Sequence, residues 1–259
     1  MGIPFTLKGR MEFGVGYAFL ADHYIQGITE RDTRLRTDRS TYSIANVFSQ
    51  IESNTLNKIM YPTLGSKTFV SLQGVYGMES FKSANTPAQN VSGIQDWWII
   101  FKANHEHHFP VTSKFVLGSF AEFLVSTRKF SQNYRATIIQ APSFEHTLHS
   151  HTISNEAFSA NQYVTAGIKP IFKITESIQI RNETYGFLPY RNILQEVNNT
   201  TIYSKPFSSF QYLSEVSLVF DIFKVASISA FANYYSAGPS QWNFGINIGC
   251  LMFGYKFLE

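Results

Sequence analysis

Apolar and polar residues alternate with a period of two along most of this chain. In the last stretch the even positions are apolar and the odd positions are small or polar, as in Trp242, Asn243, Phe244, Gly245, Ile246, Asn247, Ile248 and Gly249. Successive side chains of a β-strand point to opposite faces of the sheet. The pattern therefore predicts strands with one continuously apolar face and one small or hydrophilic face.

The length of the alternating runs indicates where the apolar face points. Strands of soluble sandwiches peak at about 5–6 residues, whereas a tilted strand needs roughly 9–11 residues to cross a bilayer. Most runs in this chain are of the longer kind, and no stretch has the roughly 18 uninterrupted apolar residues of a membrane helix. We therefore predict an all-β, antiparallel transmembrane β-barrel.

About ten strands are predicted, and their connections alternate in length. Outer-membrane barrels combine short periplasmic turns with long external loops. The predicted external loops are 22–40, 83–93, 126–160 and 189–207, and the predicted periplasmic turns are 54–67, 109–113, 173–176 and 222–224. The predicted strands are 4–19, 42–53, 68–81, 97–109, 115–125, 162–173, 178–188, 209–221, 225–235 and 242–252.

Charged residues occupy the face that the barrel would turn inward. A lumen can hold such side chains, either as the lining of a selective pore or as mutual ion pairs. Their mixed signs favour mutual pairing. The residues predicted to point inward are Lys8, Arg10, Glu12, Lys102, Glu106, Glu122, Lys169, Arg181, Glu183 and Glu215.

Aromatic residues are unusually frequent, with 24 Phe, 14 Tyr and 3 Trp. Membrane barrels use such side chains as girdles at the two interfaces, and we expect the pairs Trp97–Trp98 and Tyr234–Tyr235 to be interface anchors. The net charge is only +3, without a run of basic residues, which argues against a nucleic-acid partner.

Histidines offer the sharpest candidate chemistry. His105 and His107 share one face of a predicted strand and are candidate metal ligands. The simpler interpretation is that they end a strand at the level of the lipid headgroups, and we favour it. Three further histidines, in the long loop after the fifth predicted strand, could gather a metal but are expected to be solvated; they are His146, His149 and His151.

Two short motifs resemble those of the bacterial surface antigen superfamily of outer-membrane barrels. The turn that contains Tyr61, Pro62 and Gly65 resembles the aromatic-Pro-Thr-x-Gly turn of that superfamily. The last strand is similar to the terminal signal that the barrel assembly machinery reads, which implies this machinery as a partner. The residues of this assembly signal are Phe244, Asn247, Gly249, Met252 and Phe257.

Longer stretches resemble the C-terminal barrel of patatin-like phospholipases of Bacteroidetes-type bacteria; they are 114–126, 160–169, 185–191 and 205–212. The resemblance implies that residues 1–259 are one barrel domain in the bacterial outer membrane, incomplete at its N-terminus. It would be the C-terminal part of a sixteen-strand barrel that anchors or translocates a patatin domain. Upstream strands, the patatin domain and outer-membrane lipid are the implied partners. A missing upstream part would also explain why no signal peptide is visible.

The catalytic residues of that family do not carry over. Patatins present their nucleophile in a Gly-x-Ser-x-Gly turn, and this chain has no such motif. We therefore expect no catalytic residue, no cofactor and no enzymatic activity from this chain. Two alternatives stay open, a self-contained ten-strand pore or surface protein and a soluble lipocalin-like barrel with the opposite orientation. Homodimerisation is also left open.

Overall fold

One antiparallel sheet of eleven strands accounts for most of the molecule. The computed structural model describes residues 2–24, 37–83, 90–145, 147, 155–196, 199–222 and 226–250. Its elements are, in chain order, β1 Gly2–Thr6, β2 Gly9–Tyr24, β3 Asp38–Asn54, β4 Gly65–Lys82, β5 Val91–Pro110, β6 Phe115–Ser126, α1 Tyr134–Gln140, β7 Gln162–Lys173, β8 Ile178–Pro189, β9 Ile193–Gln195, β10 Thr201–Tyr203, β11 Gln211–Ile222, β12 Ala226–Tyr235 and β13 Trp242–Cys250.

Each strand of the sheet pairs with its neighbour in sequence, except that β8 pairs with β11. The intervening strands β9 and β10 form a separate two-stranded ribbon. We call the sheet end that carries this ribbon the long-loop end, and the opposite end the short-turn end. The simple meander is the topology expected when every connection joins adjacent antiparallel strands.

The two faces of the sheet have the predicted orientation. On β6 the even positions are buried, including Glu122, whereas outward Phe123 is 43% exposed. Lys169 and Arg181 are also buried on the inner face, at 3% and 1% exposure. A soluble barrel would reverse this arrangement, so the lipocalin-like interpretation is wrong. The predicted fold class, an antiparallel transmembrane β-barrel with apolar side chains outside, is confirmed.

Outward aromatic side chains collect near both ends of the strands. At the long-loop end Tyr212, Tyr234, Trp242 and Phe244 form a ladder with ring centroids 5.8, 4.9 and 6.0 Å apart. At the short-turn end Phe115 and Phe172 lie 4.8 Å apart on neighbouring strands. These are the two girdles of a membrane barrel.

The expectation that both members of each aromatic pair are interface anchors is wrong. Trp97 and Tyr234 point outward, but Trp98 and Tyr235 are buried inside. Adjacent residues of a strand cannot share a face, so one member of each pair must point into the interior.

The first predicted strand, 4–19, is in fact two strands. A tight turn at Leu7 and Lys8 separates β1 from β2, with Thr6 opposite Gly9. Lys8 therefore lies exposed at a turn, and its prediction as an inward residue is wrong. Alternation alone could not reveal this turn, because a two-residue hairpin connection preserves the period of two.

Strand β1 covers only the first part of β2. It pairs with residues from Gly9 to Glu12, and the same edge of β2 has no described partner from Phe13 to Tyr24. Strand β13 likewise pairs with β12 and with no second described strand. Backbone groups along these two edges are available to further strands.

The long connection after β6 contains the helix α1, which the sequence pattern did not predict. Asn133 caps it, because its side-chain oxygen accepts a hydrogen bond of 2.8 Å from the Ala136 amide. No helix in the described ranges is long and apolar enough to cross a bilayer.

Candidate functional site

The interior of the barrel is the candidate functional site, and a belt of polar residues runs obliquely along its wall, from the short-turn end of β5 to the long-loop end of β13. The strand register places each residue opposite the next across β5, β6, β7, β8, β11, β12 and β13, on the inner face of the sheet. The belt consists of His108, Gly118, Lys169, Glu183, Glu215, Asn233 and Asn243.

Gly118 makes the belt continuous. A Cβ atom at this position would lie 2.8 Å from both the His108 ring and the Lys169 Cβ. The glycine thus lets two large polar side chains from the flanking strands approach each other across β6. Glycine here serves packing rather than a special backbone conformation.

Contacts between basic and acidic side chains link the belt to residues two positions away on the same strands. Lys169 Nζ lies 2.6 Å from Glu106 Oε1 and 3.7 Å from Glu183 Oε2. His108 Nε2 is 2.7 Å from the same Glu106 oxygen, and Arg181 Nη2 is 3.4 Å from Glu183. Lys169 and Arg181 therefore each lie beside at least one carboxylate, which is the condition under which charges are tolerated away from bulk water.

A second pair lies further toward the long-loop end. Lys102 Nζ is 3.2 Å from Glu122 Oε2, while Glu122 Oε1 accepts a 2.7 Å hydrogen bond from Tyr163. Opposite charges thus meet across the inner wall instead of lining an open channel with one sign. The interpretation of the inward charges as mutual pairs accounts for these contacts.

The turn segment 55–64, between β3 and β4, fills the short-turn end of the interior. The Tyr61 hydroxyl lies 2.6 Å from Ser229 Oγ on β12, and the Pro62 carbonyl accepts a 3.0 Å hydrogen bond from Arg181 on β8. Lys58 Nζ is 2.5 Å from Asp221 on β11. The segment therefore reaches from one part of the wall to strands far along the sheet, and we call it the turn plug.

Tyr61 has the geometry of a residue held in place by tertiary contacts. Its φ is +52°, a left-handed conformation that bulky residues rarely adopt, and its side chain is buried. Burial raises the pKa of the Tyr61 hydroxyl, which favours the neutral form that hydrogen-bonds to Ser229. The Arg181 guanidinium packs over the ring, 5.6 Å from its centroid.

The predicted turn motif therefore has a position that sequence analysis missed. Tyr61 and Pro62 point across the interior, whereas Gly65 begins β4 with φ +98°. A Cβ at Gly65 would lie 2.2 Å from the Thr55 carbonyl oxygen, so only glycine fits where the plug rejoins the wall. In the sequence, the one sign that this segment folds inward was an aromatic residue next to a proline, Tyr61-Pro62.

Aromatic packing closes the interior at the long-loop end. The loop after β6 places Phe144 and Phe158 against inner-wall residues, with Phe158 5.5 Å from Phe187 and from Tyr235. This half of the interior is therefore packed with aromatic side chains. The buried cluster comprises Phe120, Leu124, Phe144, Phe158, Ala160, Tyr163, Tyr185, Phe187, Leu213 and Tyr235.

The same loop also contacts residues of β2 and β5. Asn133 Nδ2 donates a 2.9 Å hydrogen bond to the Tyr24 hydroxyl on β2, and Gln140 Nε2 donates one of 2.8 Å to Asp22. The Arg128 guanidinium lies over the Trp98 ring at 4.8 Å. Burial lowers the pKa of Arg128, but the guanidinium remains charged at any physiological pH.

The candidate metal ligands His105 and His107 lie together on the outer face, with stacked rings 6.4 Å apart. His105 Nδ1 lies 2.8 Å from Thr68 Oγ1. In the described part of the chain, no group of three or more His, Cys, Asp or Glu side chains is placed to hold a metal. The loop residues His146, His149 and His151 lie outside the described residues.

The residues of the predicted assembly signal separate onto two faces of β13. Phe244 points outward and is 73% exposed, whereas Asn247 and Gly249 face inward. A Cβ at Gly249 would lie 2.1 Å from the Met60 methyl group, so the plug reaches this strand as well. Met252 and Phe257 lie outside the described residues.

Comparisons with known proteins add little to this picture. No family model matches the chain, and no curated protein matches it. Among solved structures, the chain is similar to the transport unit of the autotransporter AIDA-I from Escherichia coli, with 14% sequence identity and a TM-score of 0.42. The match covers 96% of this chain and 78% of the other. The likeness is a loose one of overall geometry.

Proposed function

We propose that this chain is an outer-membrane β-barrel domain that anchors a larger protein and serves as its translocation conduit. The observation that carries the proposal is the inverted distribution of side chains, with paired charges buried inside and apolar residues exposed outside. Ile246 and Ile248 on β13 are 73% and 72% exposed, which water would disfavour and hydrocarbon would accept.

Anchoring needs nothing beyond this architecture, whereas translocation needs an opened interior. The turn plug and the aromatic cluster occupy the two ends of the lumen. A segment that passes through must therefore displace one or both of them. We propose that the described arrangement is the closed state of the conduit.

The finer proposal is that the barrel belongs to a patatin-like phospholipase and that upstream strands complete it. It rests on the sequence resemblance and is supported by the edge of β2 between Phe13 and Tyr24, which has no described partner. Extending β1 by about twelve residues would cover that edge, since paired strands advance one residue for one residue. The far edge of the added strands would then pair with the free edge of β13.

The assembly machinery is the proposed partner during insertion. The exposed edge of β13, with Phe244 outside and Asn247 and Gly249 inside, is the part of the predicted signal that the structure describes.

Folding in detergent micelles tests the membrane proposal. We expect high strand content by circular dichroism and a change in electrophoretic mobility on heating, both more pronounced when the upstream strands are restored. Recovery of the folded chain from solution without any detergent would contradict it.

A self-contained pore is the second candidate, favoured by one contact. Lys58 of the turn plug pairs with Asp221 on β11. The sheet therefore curves far enough for strands that are distant in sequence to be connected through the plug. Conductance of planar bilayers by this chain alone, with steps of uniform size, would favour the self-contained pore over the anchor.

A further inference from the structure

An aromatic and cationic surface stands at the long-loop end, where the chain leaves β8 and returns to β11. It is formed by Tyr190, Arg191, Tyr203, Lys205 and Phe207, and we call it the rim surface. All five residues are exposed. Neither the anchor nor the conduit accounts for them.

Arg191 is held between rings rather than by a carboxylate. Its guanidinium carbon lies 5.3 Å from the centroid of Tyr190 and 5.9 Å from that of Tyr203. No ion pair between described residues involves Arg191 or Lys205. Among the described residues, neither cation has a carboxylate partner.

The acidic residue nearest in sequence does not change this balance. Glu196 is the one carboxylate between Pro189 and Phe210 in the sequence. It lies beside the turn of the β9–β10 ribbon and accepts a 2.8 Å hydrogen bond from Thr200. The segment therefore has a net positive charge, and both of its cations are exposed.

Phe207 is fixed against Tyr190 by an unusual backbone conformation. Its φ is +51°, its amide donates a 2.7 Å hydrogen bond to the Tyr190 carbonyl, and the two rings meet edge to face at 5.2 Å. A bulky residue in the left-handed region persists only where its surroundings stabilise it. The rim surface is therefore built by specific contacts.

The rim surface lies next to the outward aromatic girdle, at the level expected for lipid headgroups. Phe210 lies over the outer face of β8, where a Cβ at Gly186 would be 2.8 Å from its ring, and it is 62% exposed. The outward ladder that starts at Tyr212 continues the girdle from there. Cations immediately above an aromatic girdle lie where lipid phosphates are found.

From these contacts we infer that the rim surface binds the phosphorylated headgroup of an outer-leaflet lipid. Arg191 supplies a planar donor set that suits phosphate oxygens, Lys205 supplies a second positive charge, and Phe207 and Phe210 contact the acyl chains below. This inference rests on the proposed membrane location and names the lipid chemistry that the location would meet.

The test measures lipid retention by native mass spectrometry of the full chain in micelles. One probe is a glycolipid that carries two phosphates, and the other is the same glycolipid after removal of its phosphates. We expect preferential retention of the phosphorylated lipid. The double variant Arg191→Gln/Lys205→Gln should lower its affinity by about thirtyfold, since each cation near an anionic lipid surface contributes on the order of a fivefold effect.

Two controls make the result specific. The variant Lys114→Gln/Lys173→Gln removes the same charge from the short-turn end and should leave retention unchanged, whereas Arg191→Lys/Lys205→Arg should preserve it. Equal retention of both lipids, an unaffected Gln variant, or displacement by millimolar inorganic phosphate would overturn the inference. A chain that is a heat-modifiable barrel but shows no preference contradicts this inference alone, and a chain that is no barrel contradicts the proposed function.

Discussion

The Tyr61 hydroxyl lies 2.6 Å from Ser229 Oγ, and this hydrogen bond joins the turn after β3 to β12, 168 residues further along the chain. Ser229 is completely buried. The contact explains why a connection that looks like an ordinary turn behaves as part of the interior. Substituting either residue therefore tests what holds the turn plug in place.

Removing the Tyr61 hydroxyl should loosen the plug. Tyr61→Phe leaves the Ser229 hydroxyl buried without its partner, which costs about 1–3 kcal/mol. We expect the temperature of the heat-induced mobility shift in micelles to fall, and limited proteolysis between Lys58 and Leu64 to accelerate.

Pairing the change with its partner provides the control. Tyr61→Phe/Ser229→Ala removes both polar groups and should recover most of the loss, because an apolar pair of similar shape is nearly neutral. Tyr17→Phe, on the outer face of β2, should have no effect on either measurement. A double variant as unstable as the single one would show that the hydrogen bond is not what holds the plug.

Replacing the plug should open the lumen. We expect the unmodified chain to show little conductance in planar bilayers, and a chain in which residues 57–63 are exchanged for a Gly-Ser linker to conduct. A linker in place of 111–114, a turn that connects β5 and β6 outside the interior, is the matched control. Equal conductance of all three chains would contradict a sealing role for the plug.

Neutralising one member of the buried Lys169–Glu106 ion pair should destabilise the barrel more than neutralising both members. Lys169→Met leaves Glu106 and Glu183 with less compensation and should cost about 3–5 kcal/mol in the free energy of unfolding. Lys169→Met/Glu106→Gln should cost less, because a buried charge is removed with its counter-ion. Urea titration in micelles measures both, and a larger loss in the double variant would refute mutual compensation.

A charge on the outer face should be costly in the middle of a strand and harmless near its end. Ile246→Arg places a guanidinium in hydrocarbon and should lower the free energy of unfolding in lipid vesicles by about 2–4 kcal/mol. Gln241→Arg adds the same charge in the connection before β13 and should change it little. Equal effects at the two positions would place Ile246 in water.

The sequence pattern predicted strand bounds most accurately in the second half of the sheet, at β7, β8, β11 and β12. The predicted strand 162–173 coincides with β7, and the others differ mainly at their ends. Two of the differences have simple physical causes. The Leu7–Lys8 turn preserves alternation, so the pattern cannot reveal it. Helix α1 has only seven residues, too few to show a clear helical period, and its Ala136 packs with Tyr24 and Phe81.

The candidate site was predicted in composition but not in arrangement. The sequence identified nine inward charges that the structure retains on the inner face, and their mixed signs predicted pairing. It could not identify which cation meets which carboxylate. Lys169 and Glu106 are 63 residues apart, and only the register of β5, β6 and β7 brings them together.

The amino-acid sequence by itself determined which side of each strand faces lipid, because side-chain alternation is a local property of an extended backbone. It also determined the number of crossings to within one strand and the order of long and short connections. Only the tertiary structure decided what occupies the interior. Whether a connection lies outside the barrel or folds into it depends on contacts such as Tyr61 with Ser229 and Phe158 with Tyr235, between residues that no local pattern relates.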